Sequence, residues 1–185
     1  MSLVNVAIVA VDGFSPFHYS VPCILFGDSV SGEKRFNVTI CAETPGFLTS
    51  KDGFALNATQ DFTAIGQADI VVVPYWQHVL ERPPQTLLDS LVQARDRGAE
   101  IVGLCLGSFV LAWAGILDGK RAATHWEFER QFQSLFPTFG WILMPFTWMT
   151  AISSLLPEPP LRWTAACISF ASALAAWLPT RLPAG

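Results

Sequence analysis

The chain has 185 residues, of which 51% are apolar and only 14% are charged, so it is one hydrophobic domain or a domain with a membrane appendage, and disorder is excluded. Its 11 basic and 15 acidic residues give a net charge of −4, and without a basic run the chain lacks the cationic surface that direct nucleic-acid binding requires. Four cysteines outside any Cys-x-x-Cys pair, and a start without a basic, cleavable leader, predict a cytoplasmic protein without structural disulfides.

Three β-branched apolar runs predict the first strands of a buried sheet. Val4–Val11 is closed by Asp12-Gly13, Phe36–Cys41 follows, and Ile70–Val73 ends at Pro74. Strands that are apolar on both faces are typical of parallel sheets covered by helices on both sides.

The elements that follow alternate between helix and strand. Leucines on one helical face predict a helix over Gln85–Arg97, which Gly98 ends. The later predictions are a strand at Glu100–Leu104, a helix at Ser108–Leu117, a short strand at Arg121–Thr124 and a helix at Trp126–Leu135. This order predicts an α/β fold with right-handed βαβ connections.

The turn after Glu100–Leu104 has the form of a nucleophile elbow. Gly103 and Gly107 flank Cys105 at two residues' distance, and such a strained turn needs small neighbours. A helix N-terminus favours thiolate, so we predict a lowered pKa and a reactive Cys105. The alternative is a buried, inert cysteine.

Histidines are the candidate bases. His18, after the first strand, and His125, after the sixth, could reach the carboxyl edge of the sheet, where open α/β sheets bind ligands; each could equally be structural. His78, in a polar loop, is expected to be solvated. Neither a metal-ligand cluster nor a phosphate loop stands out in the sequence, which predicts no cofactor and no metal.

Three segments carry a family resemblance: AIVAVDGFSPFHYSVPCILFG, ADIVVVPYW and RGAEIVGLCLGSFVLAWAGILDGKRAATHW. Over about residues 3–138 the chain resembles the PfpI-like, class I glutamine amidotransferase-like domain of AraC-family transcriptional regulators of the FtrA/GlxA type. The specific motifs are G-x-C-x-G, Ala114–Gly119 and Thr124–Trp126. The resemblance implies a flavodoxin-like three-layer sandwich with a mainly parallel sheet, here incomplete at its C-terminus.

The resemblance also implies a function. Catalytic members of the wider superfamily carry an acidic residue after the first strand, which falls on His18 here, and often a histidine after the cysteine, which is Leu106 here. Both departures favour a non-catalytic, ligand-sensing and dimerising module, without the helix-turn-helix domain that usually follows. The effector, a small molecule, is expected to contact Tyr75, Trp76, Leu106, Gly107, Thr124 and Trp126 near Cys105.

A second hypothesis keeps the chain as an enzyme. In it Cys105 attacks a small electrophile such as an aldehyde or an isonitrile, and His18 or His125 moves the proton. The chain would then resemble the isonitrile hydratases, deglycases or proteases of the superfamily.

Residues 139–185 differ in composition from the rest. They hold three of the 26 charged residues but four of the seven tryptophans. Gln131–Pro157 and Trp163–Thr180 are long enough for a two-span membrane hairpin. Internal prolines and a small basic bias argue against it.

The genetic code offers another explanation of this tail. Because Trp is TGG and Met is ATG, pairs such as Trp141-Ile142 and Met149-Thr150 force aspartate in the frame that starts at the third base. In that frame Trp141–Ile168 can read D-P-D-A-L-Y-V-D-D-G-D-I-I-T-S-A-G-T-A-A-A-L-D-C-C-L-H-L. This string resembles the stretch after T-H-W in FtrA-like regulators. We therefore predict that the frame slipped near Phe139 and that residues 139–185 are a non-homologous tail of a truncated domain.

Overall fold

The computed structural model describes residues 3–27, 34–118, 120–122, 124–137, 140–141 and 151–153. The strands are β1 (Val4–Val9), β2 (Phe36–Cys41), β3 (Gly46–Thr49), β4 (Ala55–Ala58), β5 (Ile70–Val73), β6 (Glu100–Leu104), β7 (Arg121–Ala122), β8 (Gly140–Trp141) and β9 (Ala151–Ser153). The helices are α1 (Pro16–Phe26), α2 (Gln85–Asp96), α3 (Gly107–Trp113) and α4 (Glu129–Leu135), with 3₁₀ turns at Phe62–Gln67 and Trp126–Phe128.

The main sheet has five strands in the order β2-β1-β5-β6-β9. The first four are parallel: Val6 on β1 is in register with Val38 on β2 and Ile70 on β5, and Val72 on β5 with Val102 on β6. This confirms the predicted α/β fold with a mainly parallel sheet. Strand β9, at the far edge, is antiparallel to β6 and lies within the tail that the sequence assigns to a frame slip.

Each central strand is buried on both faces, as the apolar runs predict. Alternate residues project to opposite sides of the pleated sheet, so each strand contributes to two cores. One core joins the sheet to α2, α3 and α4 through Val9, Val71, Val73, Ile101, Leu87, Leu91, Phe109 and Phe132. The other joins it to α1 through Ile8, Ile70, Val72, Leu104, Tyr19 and Phe26.

Helix α1 follows β1 after the Asp12-Gly13 turn. Pro16 occupies its first turn, where a missing N–H costs nothing, and the helix continues through Pro22. Tyr19 packs inward, whereas Phe17 and Ile24 are 55% and 53% exposed on the outer side. The helix therefore leaves apolar side chains in solvent.

Sequence reasoning missed the hairpin of β3 and β4. Its turn is closed by Ser50, whose Oγ accepts from the backbone N–H groups of Asp52 and Phe54, and Gly53 takes φ 81°. The Asp52-Gly53 pair is a recognised hairpin signal that could have identified it.

Helix α3 ends at Trp113, so the prediction of a helix to Leu117 was wrong. Gly115 has φ 67°, its N–H donates to the Ala112 carbonyl, and the Ile116 N–H donates to the Leu111 carbonyl. These two bonds form a Schellman motif, which terminates a helix at a glycine. Gly115, in the Ala114–Gly119 stretch, therefore terminates helix α3.

In the described part of the chain, none of the helices combines the length and apolarity needed to cross a bilayer. The two segments of the hypothetical membrane hairpin lie mostly outside the described residues.

Candidate functional site

Three neighbouring strands deliver chemically active side chains to one edge of the sheet. Strands β1, β5 and β6 are adjacent and parallel, so the segments after them meet at their carboxyl ends. Those segments carry His18, Tyr75 and Cys105 respectively. This edge is where open α/β sheets bind ligands.

Cys105 occupies the strained turn that the sequence predicts. Its φ is 49°, and among the described residues it alone takes a positive φ without being glycine. A left-handed conformation costs a residue with a Cβ about 1–2 kcal/mol. The flanking glycine explains the tight fit: a Cβ on Gly107 would lie 2.0 Å from the Val73 carbonyl oxygen of β5.

Two buried hydroxyl groups converge on the backbone carbonyl of Cys105. Ser108 Oγ donates to it at 2.7 Å, and Thr124 Oγ1 approaches it at 3.4 Å. The two hydroxyl oxygens are 2.9 Å apart, within hydrogen-bond distance of each other. Sequence reasoning placed Thr124 at the site but missed Ser108. A serine in the first turn of a helix that follows an elbow is a usable signal, because it can bond the carbonyl three residues back.

The Cys105 thiol is buried and protonated. Its residue is 2% exposed, and burial raises the pKa of the thiol to about 11, while a hydrogen bond from the Leu106 backbone N–H lowers that pKa by less. The predicted lowering of the pKa was therefore wrong. Desolvation penalises the thiolate more than the short helix α3 stabilises it.

His18 and Tyr75 form a stacked aromatic pair at the same edge. Their ring centroids are 5.6 Å apart with an interplanar angle of 23°, and His18 Nδ1 is 2.8 Å from Ser15 Oγ. Burial raises the pKa of Tyr75, and the negative charge that Cys105 acquires when it ionises raises that pKa further. The structure thus brings His18, Tyr75 and Cys105 together across the three strand ends.

His125 does not take part in the stacked pair of His18 and Tyr75. It follows Thr124 in the loop after β7, and its Nδ1 accepts from the Glu127 backbone N–H at 3.3 Å. Its ring stacks on Trp126 at 5.7 Å, and Trp126 is 61% exposed. Among the residues that the structure describes, these contacts of His125 lie within its own loop, which reaches the elbow through Thr124.

The other predicted contact residues are mainly packed in the core. Trp76 is 8% exposed and its indole N–H donates to the His78 carbonyl at 3.1 Å, and Leu106 is 6% exposed in the same cluster as Cys105. Gly107 provides close packing against β5. His78 is 54% exposed, as expected of a solvated loop histidine.

The described residues hold no group of three or more His, Cys, Asp or Glu side chains placed to bind a metal ion. Cys23, Cys41 and Cys105 are free thiols.

Comparison with known proteins gives this site a context. Residues 4–136 match the model of the DJ-1/PfpI family. The chain is 36% identical over 95 residues to the isonitrile hydratase of Pseudomonas putida, which covers 50% of this chain and 40% of that enzyme. It is 30% identical over 92 residues to the HTH-type transcriptional regulator CdhR of Pseudomonas aeruginosa, covering 50% of this chain and 27% of the regulator.

A solved structure shares the fold. The crystal structure of an AraC family transcriptional regulator from Pseudomonas putida matches with a TM-score of 0.66 at 18% identity, covering 95% of this chain and 99% of that one. The chain spans less than half the length of the hydratase and of the CdhR regulator. The family match over residues 4–136, which is most of the chain, shows that this protein belongs to the DJ-1/PfpI family.

Proposed function

We propose that the chain is the ligand-sensing domain of an AraC-type transcriptional regulator and that it is not a catalyst. The observation that carries this proposal is the state of Cys105: the thiol is buried and its pKa is raised to about 11. The thiolate is the nucleophilic form of cysteine, and a thiol whose pKa is raised in this way is almost entirely protonated at neutral pH. A catalytic cysteine has the opposite shift.

The neighbours of the thiol support the same conclusion. The position that resembles the catalytic acid of the superfamily is His18, whose ring lies against Tyr75 and whose Nδ1 is bonded to Ser15. Leu106, at the position of the superfamily's histidine, is buried and apolar. Neither residue supplies a carboxylate to accept or orient the thiol proton.

The sensing function assigns a small-molecule effector to the edge formed by β1, β5 and β6. His18, Tyr75 and the Cys105 elbow form its centre, and Thr124 joins it to the loop that carries His125 and Trp126. In this proposal a separate helix-turn-helix domain binds DNA, and the present chain, with its net charge of −4, does not. The free thiols support a reducing, cytoplasmic location.

We also propose that the domain acts as a homodimer. The observation in favour is the set of large apolar side chains in solvent on α1 and on the β3–β4 hairpin, namely Phe17, Ile24, Phe47 and Phe54. Sedimentation of the chain and of a Phe17→Asp/Ile24→Asp variant tests this. A dimer that the double variant converts to a monomer is expected, and a monomeric parent chain contradicts the proposal.

A turnover assay tests the non-catalytic proposal. The chain and its Cys105→Ala variant are incubated with cyclohexyl isonitrile and, separately, with methylglyoxal, and loss of each compound is followed. We expect the same slow loss with both proteins and with buffer. Loss that is faster with the parent chain than with Cys105→Ala would show that the thiol is catalytic.

One second function has a specific observation in its favour. The 36% identity to an isonitrile hydratase, together with the strained Cys105 elbow, favours a cysteine-dependent hydratase. In that reaction the Cys105 sulfur would bond to the isonitrile carbon while His18 or His125 delivers the proton, forming a thioimidate. Water would then add, and expulsion of the thiol would leave the formamide. The same turnover assay decides between the two functions.

A further inference from the structure

We propose that Ser108 and Thr124 are positioning residues that hold the Cys105 elbow in its strained conformation and so keep the thiol buried. The inference rests on the geometry of the elbow and not on the identity of an effector. It extends the sensing proposal by naming the groups that set the exposure of the thiol.

The elbow requires such a restraint. A residue with a Cβ stays at φ 49° only when its surroundings hold it there. The packing of Gly107 against Val73 fixes the start of α3 relative to β5. That contact lies two residues after Cys105 in the chain, so it does not fix the orientation of the Cys105 carbonyl. The hydrogen bonds that this carbonyl accepts must fix it.

Those hydrogen bonds come from two separate parts of the chain. Ser108 lies in the first turn of α3 and Thr124 in the loop after β7. Ser108 Oγ is 2.7 Å and Thr124 Oγ1 is 3.4 Å from the Cys105 carbonyl oxygen, which also accepts from the Ser108 backbone N–H at 3.3 Å. The pair fixes the carbonyl from two sides, and a rotation of the Cys105 peptide would break both contacts.

Burial makes the loss of either hydroxyl group energetically costly. Ser108 is 0% exposed and Thr124 is 5% exposed, so water cannot replace a lost partner at low cost. Both hydroxyl groups are satisfied by each other and by the Cys105 carbonyl, at 2.7 to 3.4 Å. Removing one hydroxyl leaves the other with a single contact and weakens the restraint on the elbow.

The consequence for the thiol follows from the backbone. If the carbonyl is released, Cys105 can relax from φ 49° toward negative φ, which swings Sγ away from its buried position. The exposed thiol has a lower pKa and better access, and both changes speed its reaction with an alkylating agent. Access to Cys105 is therefore the quantity that the hydroxyl pair controls.

The test compares two substitutions at one position. Thr124→Val removes the hydroxyl at nearly constant size, and Thr124→Ser keeps it. Each chain is treated with iodoacetamide at fixed pH, and the labelling rates of Cys105 and Cys41 are measured by peptide mass spectrometry. Cys41 is 0% exposed at the end of β2, which β1 and β5 separate from β6, and it serves as an internal reference for global opening.

We expect the ratio of Cys105 to Cys41 labelling to rise about tenfold in Thr124→Val, the change that loss of one net hydrogen bond gives. In Thr124→Ser the ratio is expected to stay close to that of the parent chain. A purely structural role would speed both cysteines equally and leave the ratio unchanged, which would overturn the proposal.

Ser108→Ala provides a second variant, since it removes the shorter bond without adding bulk. It is expected to raise the ratio at least as much as Thr124→Val, and an unchanged ratio in both variants would refute the inference. Labelling requires no substrate, so this result and the turnover assay of the proposed function can fail independently.

Discussion

Replacing Gly107 with alanine should damage the fold at the elbow itself. The glycine lies at the start of α3, directly against the end of β5. Its missing side chain leaves space that the Val73 carbonyl occupies: an added Cβ would lie 2.0 Å from the oxygen and 2.9 Å from the carbon of that group. The obstacle is backbone, so a change of rotamer cannot relieve it.

The structure sets the size of the effect. Cβ atoms in proteins stay at least 3.0 Å from such atoms, so α3 and β5 must separate by roughly 1 Å. Overpacking of a well-packed core costs about 1–3 kcal/mol, and a clash with backbone belongs at the upper end. We expect a loss of about 3 kcal/mol in the free energy of unfolding, or a fall in Tm of about 6–12 °C for a chain of this length.

Urea unfolding followed by tryptophan fluorescence measures this loss. Gly66→Ala is the matched control, because nothing lies within 4 Å of a Cβ built there and its φ is not left-handed. That variant should change the free energy of unfolding by no more than about 0.5 kcal/mol. If Gly107→Ala proved as stable as Gly66→Ala, the close contact between α3 and β5 would be wrong.

Three further predictions concern titration and the tail. Burial raises the pKa of Cys41 to about 12 and that of Cys105 to about 11, from 9.0 in an exposed cysteine, so the unfolded chain loses these protons first as pH rises. The stability that both neutral thiols contribute is complete below pH 9 and is lost between about pH 9 and 12, with about 3 kcal/mol gone at pH 10. In urea unfolding, Cys105→Ala should remove about half of that pH dependence. Absorbance titration of the two tyrosines should show raised pKa values for both. Cys105→Ala should lower the pKa of Tyr75 but not that of Tyr19, whose burial is the main cause of its shift. An unchanged pKa of Tyr75 in this variant would contradict the electrostatic interaction between its hydroxyl and the Cys105 thiol. The third prediction concerns the nucleotide sequence around codons 136–145 and some 600 bases downstream, roughly the coding length of one further domain. In a shifted frame this sequence should continue the family's pattern and then encode a helix-turn-helix domain. An intact frame through codon 185 without such a continuation would refute the frame slip.

Three strands could be predicted because their signal is local. Phe36–Cys41, Ile70–Val73 and Glu100–Leu104 match the predicted bounds residue for residue, because each is a short run rich in apolar and β-branched residues. The last two are buried throughout, whereas β2 lies at the edge of the sheet and is mostly half-buried. Strand β1 ends at Val9, two residues before its predicted end at Val11. The β3–β4 hairpin was missed because its four-residue strands alternate partly buried with exposed positions and lack a strong apolar run. The Asp52-Gly53 turn is the one sequence signal that indicates this hairpin.

The strained turn at Cys105 could be predicted from the sequence, but the pKa of its thiol could not. The spacing of Gly103, Cys105 and Gly107 places the elbow, because a tight turn limits its neighbours to small residues. The pKa of the thiol depends instead on burial, which distant parts of the chain create. The stacking of His18 on Tyr75 is likewise a contact between segments far apart in sequence, so spacing alone cannot show it.

The pH dependence of Cys105 alkylation tests the central claim most directly. The labelling rate of this thiol in the intact chain, resolved from those of the other cysteines by peptide mass spectrometry, follows the fraction of thiolate. Our account predicts that the rate keeps rising through pH 10, with a midpoint near the pKa of about 11. A rate that levels off below about pH 8 would reveal the stabilised thiolate of a catalytic cysteine and contradict a buried, sensing elbow.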